Sequence, residues 1–412
     1  MTYGYGGSSA ILGIGTALPP HRIRQEDAAE RFAHALSGQR RKRPNCAPRV
    51  PAVRRRDALH VRAELETAPE GSRYLAGSAR SSPSTGERGA AYREHALPLA
   101  LAAASRALQE AGAKAEHITH LFAVSCTGLY LPGLDAELVR HLGLRRDVQR
   151  LPLSFAGCAA GLKAVGIASG IAEQELGAKV LVVCVELCTL HVQTGTGRNE
   201  MLAAAIFGDG AAACVVGRPG VAAGSPKSAA AGSHEAAYAG PRVGRGLFAL
   251  GRYRSVLLEE GAEEMTWHIG DHGYELFLSP RIPELLVKLV PEELARLTAG
   301  LPLQEPELWA IHPGGRGILD ALQRLYGLSE RQLAPSRAAL RNVGNVSSAT
   351  ILFVLDELRR AAEAESDAER GGQGRGGGGE ASGCGVALAF GPGLTAELLA
   401  FRYIAQDAAM PI

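Results

Sequence analysis

Cys158, His312 and Asn345 are a nucleophile, a base and a carboxamide donor, and each falls where an extended segment or a tight loop meets a helix. α/β proteins gather groups from distant sequence at such junctions. The cysteine follows the extended run Leu151-Pro152-Leu153-Ser154-Phe155 and lies within Gly157-Cys158-Ala159-Ala160-Gly161. A cysteine at the first turn of a helix meets unpaired backbone N–H groups and the positive dipole end, which favour the thiolate. The ordinary alternative is a small apolar cysteine in a core. His312 closes the strand-like Glu307–Ile311 and leads into Pro313-Gly314-Gly315, while Asn345 lies in Asn342-Val343-Gly344-Asn345-Val346-Ser347-Ser348-Ala349. Alone, the histidine reads as structural and the asparagine as a turn residue. Together with a helix-start cysteine they are a set for nucleophilic catalysis.

The elements that must position these groups follow from pattern. Ala10 to Pro20 reads as a short strand and turn, residues 22 to 38 as a helix, and Glu87 to Ala111 as a long helix interrupted by Pro98. His120 to Ser125 is a buried strand, Leu134 to Leu144 a helix, and the cysteine helix runs to about Glu173 before the strand Val180–Val185. In the second half, a helix spans Ile318 to Tyr326, another Thr350 to Ala362, and final strands cover Gly385–Phe390 and Glu397–Tyr403. Small residues and glycine before a buried helix occur in both halves, as in an internal duplication. A Gly/Ala/Ser/Pro-rich stretch, 218–254, reads as the connection between an N-terminal half, 1–217, and a C-terminal half, 255–412.

A chain of 412 residues can bury a large core, and its net charge of +2 argues against general nucleic-acid binding. The seven cysteines, Cys46, Cys126, Cys158, Cys184, Cys188, Cys214 and Cys384, form neither a metal-type CxxC pair nor an even disulfide framework. No apolar run reaches spanning length, and Met1 to Ile14 lacks the charged and apolar regions of a signal peptide, so a soluble cytoplasmic protein is expected. Arg40 to Arg56 is strongly basic. It reads either as a solvated charge run or as a clamp on the phosphates of a large anion such as coenzyme A, through Arg54, Arg55 and Arg56.

Five motifs in order carry a family resemblance: Gly157-Cys158; Phe207-Gly208-Asp209-Gly210-Ala211-Ala212; Ile311-His312-Pro313-Gly314-Gly315; Gly344-Asn345-Val346-Ser347-Ser348-Ala349; and Gly391-Pro392-Gly393-Leu394-Thr395. Over roughly residues 85 to 403 the chain resembles the type III polyketide synthases, the chalcone synthase-like branch of the thiolase superfamily. The resemblance implies an α/β fold of duplicated α-β-α-β-α layers with two pseudo-symmetric halves, and a homodimer. It implies that Cys158 takes an acyl group from an acyl-CoA starter, with His312 holding the sulfur as a thiolate. His312 and Asn345 then hydrogen-bond the thioester carbonyl of malonyl-CoA during decarboxylative condensation. The product is closed to a pyrone or a resorcinol- or phloroglucinol-type ring. Coenzyme A thioesters are substrates, and no permanently bound cofactor, metal, flavin or nicotinamide is implied.

The same resemblance makes Phe207 a gatekeeper between the coenzyme A tunnel and the cavity. Trp267 falls where relatives usually carry a second gatekeeper phenylalanine. Cys126, Thr127, Cys188, His191 and Ser347 match pocket positions, and Leu131 matches a residue reaching into the partner subunit's cavity. The Glu186-Leu187-Cys188 and Trp267 segments look more like bacterial synthases of alkylpyrones and resorcinols than plant chalcone synthases. Two other readings are a ketoacyl synthase III-like priming enzyme of fatty-acid synthesis, which shares Cys, His and Asn, and an inactive scaffold of the same fold. The Pro313-Gly314-Gly315 turn and the Gly391–Thr395 motif favour the polyketide synthase.

Overall fold

The structure, a computed structural model, describes residues 9–24, 57–60, 82–193, 198–220, 246–301, 305–372 and 383–405. Arg54, Arg55 and Arg56 lie outside the described residues.

The N-terminal part supplies β1 (Ala10–Ala17), β2 (His21–Arg24), β3 (Asp57–His60), β4 (His120–Ser125), β5 (Gln149–Ser154), β6 (Lys179–Leu187) and β7 (Asp209–Gly217). The rest supplies β8 (Leu247–Leu257), β9 (Met265–Gly270), β10 (Gly273–Leu278), β11 (Leu308–Ile311), β12 (Gly383–Gly391) and β13 (Thr395–Ile404). Among the described residues the helices are α1 (Thr85–Glu110), α2 (Leu134–Leu142), α3 (Ala160–Gln174), α4 (Arg198–Ile206), α5 (Ile282–Thr298), α6 (Arg316–Tyr326), α7 (Glu330–Asn342) and α8 (Thr350–Gly372).

Nine strands form one sheet in the order β11-β12-β13-β8-β1-β7-β6-β4-β5. Its two wings share a pattern. In one, β4 and β6 are parallel and are followed by antiparallel β7 and β1. In the other, β11 and β12 are parallel and are followed by antiparallel β13 and β8. The wings meet where β1 pairs with β8 through Ala10 and Ile11. This is the duplication that the small-residue motifs implied.

Strand side chains alternate between two cores, as period-two patterning requires. Val180, Val182 and Cys184 join Ala387, Ala389, Leu399 and Phe401 against α3 and α8 in a shared central core. Leu181, Val183 and Val185 face α1 and α2 instead. On the other wing, Val386, Leu388 and Leu398 face α5 and α6. The result is helices, one wing of the sheet, helices, the other wing, helices, with the cysteine helix α3 and the asparagine-led helix α8 sandwiched at the centre.

Two readings change. Arg22–Arg24, read as the start of a helix over 22 to 38, belong to β2, which pairs with β3, and the rest of that span lies outside the described residues. The connection read over 218–254 ends earlier: Leu247 to Arg254 belong to β8, paired with β13 from Leu247↔Ile404 to Leu257↔Thr395. Its Gly, Arg and Ser residues masked a strand whose burial comes from neighbours rather than from its own composition. Among the described residues, no helix is long and apolar enough to cross a membrane.

Candidate active site

Cys158 lies in the turn between β5 and α3, ahead of the N-cap residue Ala159 and the first helical residue Ala160. The chain reverses there through two left-handed residues, Phe155 with φ of 57° and Gly157 with φ of 73°. A bulky residue in that region is uncommon and costs on the order of 1–3 kcal/mol, a strain typical of functional turns. The turn is held by Phe155 N–H donating to Ser125 O (3.2 Å), Gly157 N–H to Cys126 Sγ (3.0 Å) and Ala160 N–H to Gly157 O (3.0 Å).

Glycine is obligatory on both sides of the cysteine. A Cβ at Gly157 would stand 1.9 Å from Pro392 Cδ, so the Gly391-Pro392-Gly393 loop seats directly on it. A Cβ at Gly161 would stand 2.1 Å from Ser348 O, which is how α3 approaches the turn that carries Asn345. Gly157→Ala is expected to destabilise the protein by about 2–4 kcal/mol, from overpacking and a disfavoured φ together. A fall of several degrees in the thermal-inactivation midpoint checks this; an unchanged midpoint contradicts it.

His312 follows β11 and extends its pairing, its N–H donating to Leu388 O at 2.8 Å. The side chain is buried, and neither ring nitrogen has a hydrogen-bond partner. Asn345 is held from both sides: its N–H donates to Ile206 O (2.8 Å) and its carbonyl accepts from Gly208 N–H (3.0 Å). Its Oδ1 accepts from Ser347 N–H (2.9 Å) and Thr350 Oγ1 (3.3 Å). Since a backbone N–H can only donate, the carboxamide orientation is set, and Nδ2 is left at 3.4 Å from Gly314 O as the donor end.

These three side chains line one cavity of about 380 Å³, within the usual range for small-molecule sites. Phe207, Trp267, Cys126, Thr127, Cys188 and Ser347 line it too. Phe207 and Trp267 meet edge to face at 6.3 Å. Leu131 and His191 stand outside this lining. Leu131 is 93% exposed and does not line this chain's own cavity. His191 lines an adjoining space instead. Its Nε2 lies 2.7 Å from Thr127 O and its Nδ1 accepts from Tyr274 N–H at 3.3 Å, which fixes a neutral tautomer. The ring stacks on Tyr274 at 3.8 Å, so it braces the hairpin β9–β10.

Desolvation acts on both the cysteine and the histidine. Burial pushes the Cys158 thiol up to about 11, against opposing pulls from the nearby Ser347 and Asn345 side chains. Burial pushes the His312 imidazole down to about 3. Desolvation thus works against both charged forms, the thiolate and the imidazolium. Cys158 precedes the helix, and desolvation outweighs whatever the dipole supplies. Among the described cysteines, Cys158 alone is not fully buried, because its sulfur faces the cavity.

Sequence reasoning missed Glu186, which is fully buried at the end of β6. It accepts from Cys126 N–H (3.0 Å), Thr127 Oγ1 (2.8 Å) and the Ser348 hydroxyl, tying the Cys126 loop to the Asn345 turn across the two wings. Burial raises its pKa while these donors oppose the shift. A carboxylate closing an apolar strand was the available signal. Leu276 and Leu278, which complete the cavity wall opposite Trp267 and Met265 on the hairpin, were signalled only by alternation. Asp209 of the Gly208-Asp209-Gly210 motif is also structural: it accepts from Thr189 N–H (2.8 Å) and Oγ1 (2.6 Å), fixing the turn that carries Cys188.

His191, like His312, is held neutral by burial, its pKa lowered to about 4. Both folded-state values lie below the usual histidine value. As pH falls below about 6.5 the unfolded chain takes up protons first, and stability declines by up to ~1.4 kcal/mol per unit for each group. The thermal midpoint is expected to fall steeply from pH 6.5 to 4, and His191→Gln, which retains a donor and an acceptor, should flatten that slope. Equal slopes in the two proteins would contradict it.

Comparison with known proteins agrees with this geometry. Residues 3–219 match the chalcone and stilbene synthases, N-terminal domain, and residues 253–405 match the C-terminal domain of the same family. A Mycobacterium tuberculosis protein described as alpha-pyrone synthesis polyketide synthase-like Pks18 is 30% identical over 399 residues, covering 96% of this chain and 91% of that protein. The crystal structure of PKS-I from the brown alga Ectocarpus siliculosus superposes with a TM-score of 0.75 at 27% identity, covering 96% of this chain and 98% of that one. The C-terminal type III polyketide synthase domain of Steely1 from Dictyostelium shares the fold, with a TM-score of 0.76 at 24% identity over 97% of this chain and 100% of that one. With a cysteine, a histidine and an asparagine brought to one cavity at the centre of a duplicated fold, the chain belongs to the chalcone and stilbene synthase family of type III polyketide synthases, and is an acyltransferase.

Proposed function

We propose that the chain loads an acyl-CoA starter on Cys158, extends it with malonyl-CoA and releases a pyrone. The observation that carries this reading is the company His312 keeps: two unpartnered ring nitrogens in a cavity shared with the Cys158 thiol and the Asn345 carboxamide. Buried polar atoms without partners are rare, and a substrate carbonyl supplies what these lack.

In loading, the Cys158 sulfur attacks the starter thioester while His312 takes the thiol proton. The proton then passes to the departing coenzyme A sulfur. Proton transfer from neutral thiol to neutral imidazole needs no preformed ion pair. In extension, the malonyl thioester carbonyl sits between a His312 N–H and Asn345 Nδ2–H. Loss of CO2 leaves an enolate with its charge on that oxygen, and each preset donor is worth on the order of 10²–10³ in rate. The enolate carbon attacks the Cys158 thioester, forming the C–C bond and returning the cysteine thiolate. Neutrality of His312 suits both steps, since one nitrogen donates while the other accepts.

Phe207 and Trp267 form a dry wall near the sulfur that discourages hydrolysis of the acyl-enzyme. Arg54, Arg55 and Arg56 bind the coenzyme A phosphates in this reading, and no permanently held cofactor is required. The chain works as a homodimer, with exposed Leu131 reaching the partner's cavity. Its N-terminal half carries the nucleophile, and its C-terminal half carries His312 and Asn345. The pyrone is favoured over a resorcinol by the relative described as acting in alpha-pyrone synthesis.

The test is mass spectrometry of products from malonyl-CoA and a panel of acyl-CoA starters with no carrier protein present. Pyrones bearing the starter chain are expected. Turnover only of malonyl groups on a carrier protein would support the fatty-acid priming reading instead.

A further inference from the structure

β11 is the terminal strand of the nine-stranded sheet, so one of its edges has no strand neighbour among the described residues. Its other edge pairs in parallel with β12 as far as Ile311↔Leu388, and the His312 N–H continues that ladder to Leu388 O. The Ile311 N–H faces the open edge, where a buried amide needs an acceptor from outside the sheet. Ser336 provides it. Its Oγ accepts from Ile311 N–H at 3.0 Å, and the residue is fully buried in α7.

The same helix also holds the far arm of the His312 turn. Arg337, the next residue, donates to Asp320 Oδ1 on α6 at 3.0 Å, and Asp320 Oδ2 accepts from Arg316 Nε at 3.1 Å. Two consecutive residues of α7 therefore tether both arms of the segment that carries His312. The tethers differ in weight. Arg337, Asp320 and Arg316 are partly exposed, and such pairs contribute little. The Ser336 bond is buried, and losing it strands an amide in the core.

At its C-terminal end α7 delivers Asn345. Helical bonds run on through Val343 N–H to Ala339 O (2.9 Å) and Gly344 N–H to Leu340 O (3.1 Å). Gly344 then turns left-handed, with φ of 77°, and Asn345 follows directly. The span from Ser336 to Asn345 is short and mostly helical, which makes it a stiff spacer. The His312 ring has no hydrogen-bond partner of its own, so its place is inherited from the backbone that Ser336 seats.

We propose that Ser336 is a positioning residue for the reaction: through α7 it fixes the spacing of His312 and Asn345, the two donors to the malonyl carbonyl. This rests on the donor roles proposed for those side chains and adds what sets the distance between them. Two donors act together on one oxygen only while their separation is held. A misplacement of about 1 Å, caused by a change away from the chemistry, costs up to about 10²-fold in rate.

Ser336→Ala and Ser336→Thr, which keeps the hydroxyl, are the variants to compare. CO2 release from malonyl-CoA is expected to fall about 10- to 100-fold in Ser336→Ala with KM within about threefold of wild type, and to recover in Ser336→Thr. Ser336→Cys, similar in shape with a weak acceptor, replaces Ser336→Ala if that variant does not fold. A double-substitution cycle separates positioning from a general loss of structure. In an Asn345→Asp background, Ser336→Ala should cost no more than about threefold, because no pair of donors is left to space. An equal cost in both backgrounds, or wild-type CO2 release by Ser336→Ala, overturns the proposal. Hydrogen exchange on the full chain gives a readout without turnover. Amides of residues 311–315 should exchange at least about tenfold faster in Ser336→Ala, with those of β6 unchanged. Uniform acceleration, or none, overturns it. If the unsubstituted protein releases no CO2 from malonyl-CoA, the proposed donor roles fail, and exchange still decides whether Ser336 seats the His312 turn.

Discussion

Cys158→Ala is expected to lower product formation by at least about 10⁴-fold while malonyl-CoA decarboxylation continues. The variant loses the atom that carries the acyl group, yet His312 and Asn345, which act on the malonyl carbonyl, are untouched. The fold should survive, because the Cys158 sulfur faces a cavity and one small side chain replaces another. Counting released CO2 alongside products by mass spectrometry checks both halves of the expectation. Full product formation by this variant would remove Cys158 from the mechanism. The resting state has its own signature. With the thiol pushed up to about 11 by burial, iodoacetamide should inactivate slowly at pH 7, the rate rising about tenfold per pH unit toward 11. A fast rate independent of pH from 6 upward would mean that a thiolate is already paired with an imidazolium.

Asn345→Asp should lower CO2 release from malonyl-CoA by about 10²–10³-fold. Aspartate keeps an oxygen for Ser347 N–H and Thr350 Oγ1, so the turn is preserved. It replaces the Nδ2 donor with a second acceptor facing a developing oxyanion. His312→Gln should lose a comparable factor in decarboxylation and, in addition, slow starter loading, because the proton acceptor for the Cys158 thiol goes with the ring. The split between the two variants is the informative result. Label transfer from acyl-CoA to Cys158 should be nearly retained in Asn345→Asp and impaired in His312→Gln. Wild-type CO2 release by both would contradict the shared oxyanion site.

Residues differ in how far their roles were legible beforehand. The meeting of Cys158, His312 and Asn345 at one cavity was, since each is a reactive side chain on a segment whose small residues and glycines make sense only beside a close neighbour. For Gly157 and Gly161 the neighbours are Pro392 and Ser348, more than 180 positions away in the chain. Strand β6 was legible because it is buried on both faces and reads as a continuous apolar run. Strand β8 was not: five of its eleven residues are Gly, Arg, Ser or Tyr, and pairing with β13 supplies its order. The hydrogen bonds of His191 to Thr127 O and Tyr274 N–H, which tie it to the hairpin β9–β10, were not legible, because both partners are distant in the chain.

The sequence by itself determined which side chains could react, the strand and helix phases that carry them, and the family they belong to. These are local properties, written in residue type and spacing. The tertiary structure alone decided the desolvation of Cys158 and His312, the hidden carboxylate of Glu186 and the edge-to-face contact of Phe207 with Trp267. Desolvation and hydrogen bonding depend on what surrounds a group in three dimensions, and those surroundings come from β6, the hairpin β9–β10 and the Asn345 turn, segments that the chain brings together only on folding.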